Sequence, residues 1–166
     1  VELLVTDRAD RAEELARYVD QLNADRQSLE RRILLAAGKQ ARERFDPDND
    51  PALVLADHGW NPGVIGIVAG RLGEKYHRPV VLISWDNSGM KPGVGSARSV
   101  PGFDLHAALA ACGHHLLGHG GHAAAAGLRI EEKKLADFRG DFCEYVAAEM
   151  TDAQRIAELA IDAEAP

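Results

Sequence analysis

Apolar positions between residues 9 and 45 fall on two rows spaced by seven: Leu15, Leu22, Leu29 and Ala36, and then Val19, Arg26 and Ile33, with Arg26 the one polar member. Alternating steps of four and three mark one face of a helix. The segment contains no proline and one glycine, Asp10 three residues before Glu13 is a start signal, and Asp46-Pro47-Asp48-Asn49-Asp50-Pro51 is a stop. The pattern predicts a helix of about 50 Å at 1.5 Å per residue. Two readings of it stand side by side, a strut connecting two domains and a coiled-coil or packed surface helix. The apolar residues before it, Val1 to Val5, read like a strand.

From residue 52 the rhythm changes. Ala52–Ala56 is a short buried strand, His58–Asn61 a turn, Pro62 to about Tyr76 a helix with proline in its first turn, and Pro79–Ser84 a second strand. Such a βαβ unit favours a right-handed crossover and a parallel pair. A loop over 86–92 leads to a strand over 94–99, a turn at Pro101-Gly102 and a helix from Asp104 to about Leu117. A strand over 123–130 follows, and Leu135, Phe138, Phe142, Tyr145 and Val146 mark a last amphipathic helix ending at Met150. The expected class is α/β, a mixed and mostly parallel sheet flanked by helices, with a long N-terminal connector helix. Three parts are expected: 1–50, 51–150, and an acidic, alanine-rich linker over 151–166.

Composition narrows this picture. A chain of 166 residues has room for one ordinary domain with appendages, and 46% hydrophobic residues with only 5% aromatics describe an aliphatic core and exclude disorder throughout. There is no apolar run of about 18 residues and no secretory signal, so the expected setting is cytoplasmic. Cys112 and Cys143 are too few and too far apart for a scaffold or a CxxC pair, and read as free thiols. The chain starts without Met, as a piece of something longer would.

Charge is unevenly placed. Residues 1–50 carry 9 Lys/Arg against 12 Asp/Glu, residues 51–130 carry 6 against 4, and residues 131–166 carry 4 against 10. The non-acidic middle also holds all 7 histidines and 14 of the 16 glycines. Glycine permits close backbone approach and histidine titrates near neutrality, so their co-location suggests an anion site; a loop-rich core with incidental histidines is the plain alternative.

Three motifs carry candidate chemistry. In His119-Gly120-Gly121-His122-Ala123-Ala124-Ala125-Ala126-Gly127 the paired glycines expose amides and the alanines leave space, or else the stretch is a tight turn into a packed strand. In Gly93-Val94-Gly95-Ser96-Ala97-Arg98-Ser99 an arginine fork flanked by hydroxyls suits a phosphate, or else Arg98 is solvated on an edge strand. Trp60 before Asn61-Pro62-Gly63 lies at a helix N-terminus, where it stacks on a base or plugs the strand–helix junction. His114, His115, His119 and His122 are not expected to bind metal, because Gly118 and Gly120-Gly121 break the helical face they would share and no HExxH, cysteine pair or carboxylate cluster accompanies them. Ser96 lacks a nucleophile elbow and Cys112 lies in an alanine-rich helix.

Trp60–Ala69, Gly95–Leu105 and Gly120–Gly127, in this order, resemble the RecJ family of single-stranded-DNA exonucleases, specifically its DHH-associated domain. The likeness covers about residues 52–150, and the helix with Leu22-Asn23 and Arg26 resembles the family's interdomain connector. Asn61 stands where the family usually has His, Ala97 where Gly is common, and His119 where an apolar residue often precedes Gly-Gly.

The resemblance implies 5′-to-3′ degradation of single-stranded DNA by Mn²⁺ or Mg²⁺ held in a separate Asp-His-His domain. That signature is absent from this sequence, so the chain alone is expected to be inactive and to carry no cofactor. It implies that Ser96, Arg98 and Ser99 grip a phosphate together with Gly120, Gly121, Trp60 and Asn61, that His122 is catalytic, and that the chain supplies no metal ligand. Single-stranded DNA and repair or recombination proteins, such as a single-strand-binding protein and a helicase, are the expected partners; no membrane is. A phosphodiesterase for short oligonucleotides or cyclic dinucleotides, and a non-catalytic nucleic-acid-binding module, remain as alternatives.

Overall fold

The computed structural model describes residues 1–151 together with Gln154 and Ile156. Apart from these last positions, the linker expected over 151–166 lies outside the described residues.

The chain opens with a single helical turn, α1 (Glu2–Val5), where a strand was expected; Leu4 and Val5 are exposed and have no neighbouring strand to pair with. Helix α2 spans Ala9–Arg44, as the seven-spaced rows predict. Its N-cap is Arg8, and Asp10 lies inside the first turn, salt-bridged to Arg8. The two readings of α2 divide along its length. Tyr18, Val19 and Leu22 in the first half are exposed, whereas Ile33, Ala37 and Ala41 in the second half are buried. At the changeover Glu30, 3% exposed, receives Arg26 Nη1 at 2.8 Å and Arg71 Nη2 at 2.5 Å. One buried carboxylate with two half-exposed arginines thus fastens α2 to the helix below it, a pairing that compensates burial of the charge.

The core elements follow in order: β1 (Leu53–Asp57), α3 (Ile65–Tyr76), β2 (Val80–Ser84), β3 (Gly93–Arg98), α4 (Leu105–Ala111), a 3-10 turn (Gly113–His115), β4 (Leu116–Gly121), β5 (Ala125–Ile130) and α5 (Leu135–Glu149). The strands form one sheet ordered β1-β2-β3-β5-β4. The sheet is mixed, as expected, but not mostly parallel: β1 and β2 run parallel across the α3 crossover, and the other three pairs are antiparallel. The α3 connection returns the chain to the same end beside β1, and the α4 connection does so from β3 to β4, but β5 lies between those two strands and runs against both; the links β2–β3 and β4–β5 are short and must reverse the chain.

Alternation along β2 sorts the core into two layers. Val80 and Leu82 join Leu53, Leu55, Ile65, Val68, Leu72 and Ile33 beneath α2 and α3. Val81 and Ile83 join Ala97, Leu128, Leu105, Phe138 and Phe142 beneath α4 and α5. Helix α4 starts at Asp104, whose side chain accepts from Ala107 N at 3.0 Å, and ends at Ala111 rather than near Leu117. The segment expected as its last turns leaves the helix at Cys112 and becomes β4, an edge strand.

The opposite edge, β1, is closed by side chains. Its outward carbonyls at Ala52, Val54 and Ala56 accept from Cys143 Sγ (3.9 Å), Arg139 Nε (3.2 Å) and Gln40 Nε2 (3.4 Å). Cys112 and Cys143 are both free thiols. Among the described residues no helix is long and apolar enough to cross a membrane.

Candidate functional site

Two cross-strand rows define the site. Arg98 on β3 pairs with Ala125 on β5, and His122, one residue past β4, gives its amide to Ala125 O at 2.8 Å. Two residues along, Ser96 pairs with Gly127, and Gly127 with Gly120 of β4. Paired positions share a face of a sheet, so Ser96, Arg98, Ala125, Gly127 and Gly120 lie on the side opposite the α4/α5 core that holds Ala97, Ala126 and Leu128. Helix α3 covers this side only over β2 and β3. Over β5 and β4 it is open, and Gly118, Gly120, Gly127 and Arg129 are exposed. Strands spaced about 4.8 Å apart make the floor about 10 Å wide from β3 to β4.

Arg98 forms the wall on the α3 side. Its Nη1 donates to Ser96 Oγ (3.2 Å) and to its neighbour's carbonyl, Ala97 O (2.8 Å). Those bonds fix the guanidinium plane, while Nη2 and Nε have no partner among the described residues. Ser96 Oγ accepts from Arg98, which leaves its own O–H to donate elsewhere. The fork fits here because α3 has glycine where a side chain would collide: a Cβ at Gly66 would lie 2.8 Å from Ser96 Oγ and 2.9 Å from Arg98 Nη2. Beyond Arg98 the floor runs into a cavity of about 660 Å³ lined by Gly70, Gly73, Glu74, His77 and Pro101.

Of the two adjacent glycines, Gly120 is exposed floor, and a Cβ added there would have nothing within 4 Å, whereas Gly121 points to the packed side at φ +144°. A Cβ on Gly121 would lie 2.5 Å from Ala126 Cα and would collide with Ala125 O. Gly120 thus serves the open face and Gly121 serves the strand pairing.

Two expected site residues are turned to structural partners, and a third, Asn61, starts a helix. Trp60 is 6% exposed, packs in the α2/α3 core and accepts Ser84 Oγ on its carbonyl at 2.7 Å; it plugs the strand–helix junction and has no face free for a base. The Ser99 hydroxyl is directed to Phe103 O (2.8 Å) and Val100 O (3.2 Å), so it holds the turn after β3 and has no proton left for a phosphate. Asn61 is exposed; its Oδ1 accepts from Gly63 N (2.8 Å) and its carbonyl from Val64 N (3.0 Å), which starts α3 about one turn before Gly66, the residue against which the Arg98 guanidinium lies. His122 is exposed at the end of the first row. The residue that sequence reasoning left out of the site is Gly66. Its signal was the spacing Gly66, Gly70, Gly73, which puts three glycines on one face of α3.

The floor residues Ser96, Arg98, Gly120, His122, Ala125 and Gly127 include no carboxylate, and hard divalent cations require oxygen-rich ligand sets. These residues suit an anion, not Mn²⁺ or Mg²⁺.

A family model described as the DHHA1 domain matches residues 49–148. The chain is 34% identical over 164 residues to the single-stranded-DNA-specific exonuclease RecJ of Bacillus subtilis, a match covering 98% of this chain and 20% of that protein. With the RecJ of Haemophilus influenzae it shares 38% over 153 residues, covering 89% of this chain and 26% of that protein. The crystal structure of RecJ in complex with Mg²⁺ from Thermus thermophilus aligns with a TM-score of 0.76 at 35% identity, over 89% of this chain and 22% of that one. A structure of exonuclease RecJ bound to manganese aligns with a TM-score of 0.76 at 34% identity, over 94% of this chain and 37% of that one. The chain thus spans about a quarter or less of the length of these two curated relatives.

Proposed function

The chain belongs to the DHHA1 domain family, and from that premise we propose that it is the substrate-binding part of a RecJ-like 5′-to-3′ single-stranded-DNA exonuclease. The observation that carries the reading is the Arg98 fork, held in plane by Ser96 with Nη2 and Nε unpartnered among the described residues, beside an open floor of glycine and alanine. Arg98 and the Ser96 hydroxyl donate to non-bridging oxygens of one phosphate. The bare floor at Gly120 and Gly127 lets the sugar–phosphate chain lie close to the sheet, and His122 reaches the same backbone from the β4 side as the catalytic residue of this half. None of these groups reads a base edge, so binding is independent of sequence. Metal-dependent hydrolysis of the phosphodiester belongs to the remainder of the intact protein, and this half orients the substrate and neutralises its charge. The setting is cytoplasmic DNA repair or recombination, alongside single-strand-binding and helicase partners.

The first test uses the 166-residue chain alone with 5′-phosphorylated single-stranded DNA and Mn²⁺. We expect no turnover, and weak binding that falls with salt, since a net charge of −7 opposes the local attraction. Turnover removed by His122→Ala would place the chemistry in this chain and overturn the assignment. Tight binding by the chain alone would make it an independent binding module. In the intact enzyme, long strands should be shortened from the 5′ end; activity confined to short oligonucleotides or cyclic dinucleotides would replace the exonuclease by a phosphodiesterase.

Gly66→Ala in the intact enzyme is a second check. The added methyl meets only the ends of the Ser96 and Arg98 side chains, which can move away. We expect the melting temperature to stay within a few degrees while KM for single-stranded DNA rises by about tenfold, the loss of roughly one charge-assisted hydrogen bond. An unchanged KM would show that the fork's position over α3 is irrelevant to binding.

A further inference from the structure

On the other side of the sheet, the 3-10 turn before β4 meets α5. His114 Nε2 lies 3.2 Å and His115 Nε2 2.7 Å from the same oxygen, Asp141 Oδ2. The ligand atoms of the three residues are all within 4.8 Å of one another. The imidazole rings are tilted 44° to one another with centroids 3.9 Å apart. The His115 side chain is 8% exposed, so its ring is fixed, while His114 and Asp141 keep a solvent-facing side.

Zinc binds imidazole nitrogen and carboxylate oxygen at about 2.0–2.2 Å, which in a tetrahedron separates ligand atoms by about 3.3 Å. The observed 2.7 and 3.2 Å lie just inside that value, so a small outward movement of Asp141 admits an ion. We infer that His114, His115 and Asp141 form a binding site for a zinc-class divalent cation, with water in the fourth position on the exposed side. Two nitrogen donors select zinc over magnesium or manganese. The ion would tie the 3-10 turn to α5 and so steady the entry to β4, the strand that carries Gly120 and Gly121. This site lies on the opposite side of the sheet from Arg98 and is separate from the phosphate-binding reading.

The test is a zinc titration of the untagged chain by calorimetry, with melting curves in excess Zn²⁺ or Mg²⁺. We expect one zinc per chain, a higher melting temperature in zinc, and no shift in magnesium. His114→Gln, at an exposed position, and Asp141→Asn should each weaken zinc binding by about tenfold or more. His106→Gln and His119→Gln, which alter the nearby imidazole pair with centroids 6.0 Å apart, should leave it unchanged. No zinc binding, equal shifts in zinc and magnesium, undiminished binding in His114→Gln, or loss in His106→Gln would each overturn the inference.

Discussion

Arg98→Ala in the intact enzyme is expected to lower kcat/KM on single-stranded DNA by about 10- to 150-fold, the equivalent of about 1.5–3 kcal/mol for a charge-assisted hydrogen-bonded contact. The fold should be unaffected, because among the described residues the guanidinium bonds only Ser96 and its own neighbour's carbonyl and belongs to neither core layer. Two readouts separate a phosphate contact from a general loss of charge. Removing one cation from a single-strand interface should flatten the plot of log affinity against log salt by about 0.7. Arg98→Lys keeps the charge and hence the slope, but not the planar fork that Ser96 orients, so its activity should fall between wild type and alanine. A lysine variant as active as wild type would mean that Arg98 acts as a point charge. An alanine variant with wild-type kinetics would remove the basis for the substrate-binding assignment.

The second large effect separates two neighbouring residues that look equivalent in the sequence. Gly121→Ala puts a methyl against Ala125 O and Ala126 at a backbone angle of +144°. Strain of about 1–3 kcal/mol and overpacking of similar size together predict about 2–6 kcal/mol of destabilisation. In urea unfolding this appears as a clear drop in midpoint, and β4 should detach first because it is an edge strand. Gly120→Ala meets open space, so its stability should match wild type within about 0.5 kcal/mol. Its methyl stands on the floor, however, and should raise KM for single-stranded DNA. Equal stability losses in the two variants would contradict the division of roles described for the pair.

The legible parts of the fold are those where local pattern and tertiary environment agree. The rows through Leu15 and Ile33 predict α2 nearly to the residue, and the uninterrupted apolar run from Val80 to Ile83 can only be a strand covered on both faces. β4 was not legible. Leu116–Gly121 contains three glycines and no β-branched residue, so nothing local favours extension; the strand exists because β5 supplies a partner. The expected parallel majority fails because β5 inserts between β3 and β4, the second pair of strands joined through a helix, and runs against both.

The site divides in the same way. Arg98 and Ser96 stand two apart in one motif, and the structure joins them on one face of β3, as strand alternation dictates. Ser99 belongs to the same motif, yet its hydroxyl is turned to two carbonyls, a direction set by the chain reversal at Pro101-Gly102 and invisible in the motif itself. Trp60 looked equally suited to stacking and plugging, and the packing of α2 against α3 decides for the plug. Gly66 was missed because its function is to be absent as a side chain, which shows only once Arg98 is seen lying over it.

The capped carbonyls of β1 bear on how copies of this fold meet at high concentration. An endless cross-chain ribbon needs two live borders per molecule, and here Gln40, Arg139 and Cys143 occupy the acceptors of one of them. Among the described residues the rim bearing Leu117 and His119 has no such caps, so strand-to-strand association is favoured there, as a closed pair, over extension through β1 into a filament.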